Sequence, residues 1–142
     1  MTLPLPIAVL SGDTFILALP VPTARQVQAL GLNGRPHWST RARAAKAMKQ
    51  TAQILTTQAI HADHTPWQTA TRQYRFFWKD LRQRDLDNYI GVMKSAMDGI
   101  VRGGLIADDK WCVLTDEAPL CELDRANPRV ELVITKGSHD PS

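Results

Sequence analysis

The sequence predicts a single α+β domain in which a mixed sheet of about four strands carries two main helices. Three observations predict it. The chain has 142 residues, 44% of them hydrophobic, enough apolar material for one modest core and too little for two. Its apolar residues alternate in short runs and recur every three to four residues in two longer ones. In chain order these segments read β-α-β-α-β-β, a pattern that folds as strands backed by helices. The domain is expected over residues 13–136, with an N-terminal extension at 1–12 and a frayed tail at 137–142.

Thr14–Leu19 (TFILAL) is a short apolar run closed by Pro20 and Pro22, as a strand requires. Residues 24–38 carry Gly31, Gly34 and Pro36 and read as a loop. A first helix follows, with Ser39 as its expected N-cap. At about 100° per residue, Ala44, Ala45, Met48, Ala52, Leu55 and Ala59 share one face. Arg43, Lys46, Lys49, Gln50 and Gln53 occupy the other. Tyr74–Trp78 (YRFFW) is aromatic-rich and reads as a second strand. A second helix is expected from about Asn88 to Arg102, stopping at Gly103 and Gly104. Its apolar face holds Tyr89, Ile90, Met93, Met97, Ile100 and Val101. Trp111–Leu114 and Arg129–Thr135 are the last strands, expected to pair as a hairpin; the latter alternates Val130, Leu132 and Ile134.

Composition narrows the function classes. Cys112 and Cys121 sit nine apart with no CxxC pair, which argues against a disulfide scaffold or a structural zinc site. They read as reduced packing residues in a cytoplasmic protein. The apolar start, Met1 to Leu10, lacks a basic leader and is broken by Pro4 and Pro6, so neither a signal peptide nor a membrane span is expected. The net charge of +3 hides a division. From Thr14 to Arg84 eleven Lys or Arg stand against two acids, and from Asp85 onward six stand against eleven. The first half suits a polyanion and the second offers carboxylates to a cation.

The most informative stretch is Arg84-Asp85-Leu86-Asp87-Asn88, followed by the second helix and Asp108-Asp109. On extended backbone Asp85 and Asp87 would point the same way, about 6.6 Å apart along the chain. Such a concentration of negative charge calls for a cation, and hard oxygen ligands suit Mg2+ or Mn2+. Asp108 and Asp109 lie where the chain can turn back toward the pair. The bland alternative makes Asp87 or Asn88 a helix cap and Asp108-Asp109 an ordinary turn. An EF-hand is excluded, because the twelfth position from Asp85 is Ala96 rather than Glu. On the helical wheel Lys94 falls about 20° from Asp87, two turns on. It either pairs with Asp98 or serves a phosphate near Asp87.

RDLDN (84–88), KSAMDGI (94–100), a Gly-bearing turn and ADDKW (107–111) together strongly resemble the RusA family of Holliday-junction resolvases. So do the strand ending in LPVP, then Asn33, Arg35, His37-Trp38 and an Arg/Lys-rich helix, so the likeness runs from about Asp13 to Lys136. The resemblance implies a homodimeric, Mg2+-dependent endonuclease, with Mn2+ able to substitute, that cuts four-way DNA junctions with paired nicks. It implies a bacterial host's cytoplasm and nucleoid as the place of action. Asp85, Asp87 and Asp109 match the family's catalytic, metal-holding aspartates, and Lys94 its functional lysine. In better-known members that lysine follows DN after two residues; here the place is Gly91, and Lys94 lies about 4.5 Å further along the axis.

Arg35, Arg41, Lys46, Lys49, Arg82 and Arg84 are the expected phosphate contacts, although Arg82 and Arg84 could instead pair with Asp85 or Asp87. Trp38 reads first as a packing residue at the start of the helix, with base stacking as the alternative. His61, His64 and His139 lack ligand-like spacing. Two rivals remain: a non-catalytic DNA-binding protein that keeps the basic surface, and a DxD transferase, which the absence of a Gly-rich phosphate loop disfavours.

Overall fold

The computed structural model describes residues 4–34 and 36–138, and the architecture is a mixed six-stranded sheet with three helices. Arg35 and residues 139–142 therefore lie outside the described residues, as does the start of the expected extension at 1–3. Within the expected extension, Ile7–Ser11 forms β1, an antiparallel hairpin with β2, Thr14–Leu19. Gly12 stands at φ 60° in its two-residue turn, a conformation the right-handed hairpin twist favours.

The stretch expected to be a loop begins with a helix, α1, at Ala24–Leu30. Thr23 and Gln26 cap it reciprocally, side chain to backbone in both directions. The first main helix, α2, spans Trp38–Ala59. Its N-cap is His37, whose Nδ1 accepts the Ser39 N–H at 3.2 Å, so Ser39 is the capped residue rather than the cap. β3 covers Ala70–Trp78, and α3 covers Leu86–Arg102. Then come β4 (Leu114–Asp116), β5 (Leu120–Leu123) and β6 (Arg129–Lys136).

The sheet order is β1-β2-β6-β3, with β4 and β5 both parallel to β3 along its outer edge. The expected hairpin between 111–114 and β6 does not form. β6 instead inserts antiparallel between β2 and β3, where its alternating Val130, Leu132 and Ile134 meet Leu19, Leu17 and Phe15 of β2 and Phe76, Tyr74 and Arg72 of β3. Phe15 faces Ile134, Leu17 faces Leu132, and Phe76 faces Val130 in register. Against them α3 lays Val92, Met93, Ala96, Met97 and Ile100, all nearly inaccessible. Each large side chain so buried contributes about 1.5–3 kcal/mol over exposure. No helix among the described residues is long and apolar enough to cross a membrane.

Two glycines fix how α2 and α3 meet. A Cβ on Gly99 would collide with the Lys49 carbonyl and stand 2.7 Å from Ala52 Cβ; one on Gly103 would stand 2.7 Å from Thr56 Cβ. Residues four apart on one helix thus meet residues four apart on the other in the same sense, so the helices run parallel. Counted back fourteen residues, about 21 Å of rise, Gly99 leads to Asp85 and Ala52 to Trp38. Both N-termini stand at one end of the molecule. Between them lie α1 and the turn after it: Arg41 donates to the Ala29 carbonyl, and Asn33 N–H donates to Asn88 Oδ1 at 3.2 Å.

Candidate functional site

The β3–α3 connection is shaped by Arg84. Its guanidinium lies 4.3 Å from the Trp78 ring centroid and donates to Asp80 Oδ1 at 2.6 Å and to the Asp80 and Arg82 carbonyls. The hydrogen bond from Arg84 holds the Asp80 carboxyl below its ordinary range, with the Arg82 N–H adding to it. Arg84 is therefore a loop clamp with its donors engaged, and its partner is Asp80 rather than Asp85 or Asp87. Arg82, by contrast, is exposed.

The clamped loop delivers Asp85 as the N-cap of α3. Asp85 Oδ1 accepts the Asp87 N–H at 3.1 Å, and Asp85 Oδ2 accepts Asn33 Nδ2 at 3.3 Å. The two aspartates do not share an extended strand: Asp85 has extended backbone, while Asp87 sits in the first helical turn. Nor does their charge stand uncompensated, since a helix N-terminus favours acids by about 0.3–1 kcal/mol each. Asp87 is exposed, and among the described residues its carboxylate has no hydrogen-bonding or ionic partner. Capping and ligation are compatible, since capping employs Asp85 while Asp87 projects free.

Asp109 follows the turn after α3. Its N–H donates to Asp108 Oδ1 at 2.7 Å, and its charge acts on Arg72 and Tyr74 of β3. Arg72 grips Asp116 with two hydrogen bonds of 2.6 and 2.8 Å. Burial pushes the Tyr74 hydroxyl above its ordinary value, with Arg72 opposing and Asp116 and Asp109 reinforcing the rise. Among the described residues, no three His, Cys, Asp or Glu side chains form a group that would hold an ion. The donor chemistry of Asp85 and Asp87 fits a hard divalent cation; Asp109 is not gathered with them in one group.

Lys94 is exposed and makes no ion pair with Asp98. Gly91 is no open saddle for a ligand, because a Cβ there would stand 3.1 Å from Leu32 N and 3.2 Å from Leu32 Cγ. The chain's own turn occupies that approach. On α2, Arg41, Arg43 and Lys46 are exposed and Lys49 is partly so. Trp38 is 75% exposed, which removes the packing role expected for it. Cys112 and Cys121 are likewise exposed rather than packed.

Sequence reasoning missed the work of Asn33 and Asn88, which tie the α1–α2 turn to the α3 N-terminus. Asn33 was visible only as part of a motif, since its partners lie 52 and 55 residues away. No family model and no curated protein matches this chain, so the likeness to the RusA family rests on the quoted residues alone.

Proposed function

We propose that this chain is a structure-selective DNA endonuclease that acts as a homodimer and resolves four-way junctions by paired, Mg2+-dependent phosphodiester hydrolysis, with Mn2+ able to substitute. The observation that carries the reading is the exposed Asp85–Asp87 pair at the N-terminus of α3, with the Asp87 carboxylate unpartnered among the described residues. At the same end of the molecule begins α2, whose exposed face is cationic; no acid occurs from Thr14 to Ala62. The quoted RDLDN and ADDKW motifs add the choice of reaction.

Asp85 and Asp87 would hold the ion, and Asp109 would join them in the complex with DNA. When bound, Mg2+ supplies Lewis acidity for hydrolysis of the phosphodiester. Asn33 and the helix cap keep Asp85 oriented. Arg41, Lys46, Lys49 and Arg82 grip phosphates without reading sequence, which makes binding steeply salt-dependent. Lys94, free of Asp98, places positive charge beside the phosphate. Work on chromosomal DNA would put the protein in the cytoplasm, at the nucleoid.

One observation favours a second reading, a non-catalytic DNA-binding protein: the three aspartates are not gathered in one group. A synthetic four-way junction with and without Mg2+ separates the two. The nuclease reading expects cleavage in Mg2+ that Asp87→Asn abolishes while junction binding persists. Binding without cleavage in Mg2+ or Mn2+ would establish the second reading instead.

A further inference from the structure

Of the four tryptophans, Trp67 and Trp78 are 4% and 8% exposed, whereas Trp38 and Trp111 are 75% and 88% exposed. Scattered exposed apolar residues need no explanation. Trp38 differs because it begins a helix that carries exposed cations and has a second aromatic ring beside it. It is the first residue of α2, where rotation of the backbone is fixed by the helix. His37 beside it is anchored by its Nδ1, which accepts the Ser39 N–H at 3.2 Å and lies 2.8 Å from Ser39 Oγ. The two rings stand 5.6 Å apart at 34°. Arg41, Arg43 and Lys46 follow on the next turns, all exposed. Trp38 also stands at the same end of the molecule as Asp85 and Asp87, by the parallel register that Gly99 and Gly103 set.

We infer that His37 and Trp38 form a stacking platform for an unpaired base at a DNA branch point. The inference rests on the proposed action on DNA and adds the feature of the substrate that is recognised. In intact duplex each base is stacked between its neighbours and offers no free face, so Trp38 gains nothing there. At a branch a base can be displaced onto an aromatic ring while its phosphates meet the adjacent cations, an interaction indifferent to base identity. This gives selectivity for structure rather than sequence. A second copy of the chain is the poorer occupant. In a two-fold contact the same patch meets itself, and here that would press Arg41, Arg43 and Lys46 against their own equivalents.

The test uses full-length protein carrying Trp111→Phe, which leaves Trp38 as the one exposed indole among the described residues. It is titrated with a four-way junction, with linear duplex of the same sequence, and with single-stranded oligonucleotide. Trp38 emission is expected to fall about twofold or more with junction and single strand and to stay nearly constant with duplex. Trp38→Ala should weaken junction binding about tenfold, leave duplex binding within about twofold, and be largely rescued by Trp38→Phe. Equal quenching by duplex and junction, or none by either, would overturn the platform. So would sedimentation showing that Trp38→Ala dissociates a dimer. The two readings fail separately. Native protein that binds the junction without cutting it in Mg2+ or Mn2+, with junction-specific quenching intact, removes the nuclease and keeps the platform; native cleavage that Asp87→Asn abolishes, with no quenching, does the reverse.

Discussion

At Asp85 one oxygen accepts the Asp87 N–H and the other the Asn33 amide, so a substitution there acts on the helix and on the site together. The two effects can be separated by choosing the replacement. Asn caps helices about as well as Asp, whereas Ala costs about 1 kcal/mol. Asp85→Asn is therefore expected to keep the urea midpoint near that of the native chain and lose cleavage, and Asp85→Ala to lower both. A stable, fully active Asp85→Asn would remove the carboxylate from the chemistry. Asn33 tests the same carboxylate from outside. Asn33→Ala frees Asp85 Oδ2 without touching a proposed ligand, and displacements of about 1 Å can cost on the order of a hundredfold in rate. The expected result is a cleavage rate reduced roughly ten- to a hundredfold and a raised Mg2+ requirement, with junction affinity unchanged. Asn33→Asp should be worse, because it sets a like charge beside Asp85. Native rates in both variants would reduce Asn33 to a loop tether.

Among the elements, α2, α3, β2, β3 and β6 were legible because each carries enough residues for its period to show. β1 was hidden by Pro4 and Pro6, and α1 by the Gly31, Gly34 and Pro36 that follow it; the Thr23–Gln26 capping pair was the overlooked signal. β4 and β5, three and four residues long, owe their existence to parallel pairing with β3, which local pattern cannot announce. The failed hairpin has the same origin: β6 finds its partners in β2 and β3, far away in sequence. In the candidate site the aspartates were legible as a motif. Their geometry was not, because Asp85 became the cap of α3 with both carboxylate oxygens engaged, one by a residue 52 positions away. The parallel α2–α3 packing makes an element-level prediction. Gly99→Ala improves helix propensity by about 1 kcal/mol. It also drives a methyl into the Lys49 carbonyl and Ala52, and overpacking of this kind costs about 1–3 kcal/mol. The clash is with backbone, which cannot swing aside, so net destabilisation is expected in chemical denaturation. A stabilised variant would show that the helices can separate without penalty.

The whole molecule is divided in charge, with a surplus of nine positive charges from Thr14 to Arg84 and of five negative from Asp85 onward. If the α2 face meets phosphates, replacing Lys46 and Lys49 with Ala should lower junction and duplex affinity alike. The slope of log affinity against log salt should shrink by about 0.9 for each phosphate that is no longer neutralised. An unchanged slope would turn that face to solvent.

The proposed activity also makes a demand that one protomer cannot meet, because resolving a four-way junction takes two cuts on opposed strands. A two-fold dimer supplies two equivalent sites facing a substrate of matching symmetry. Mixed dimers test this directly. Native chain and Asp87→Asn chain, exchanged at equal amounts and given a supercoiled plasmid that extrudes a cruciform, should yield about half heterodimers by random pairing of subunits. Each heterodimer can cut one strand only. Native dimers make both cuts during one binding event and linearise the plasmid, whereas heterodimers leave it nicked, so nicked circles should accumulate in the mixture and in neither parent alone. If the mixture only linearises more slowly, in proportion to the native chain present, then each protomer cuts independently and pairing of the nicks does not arise from the dimer.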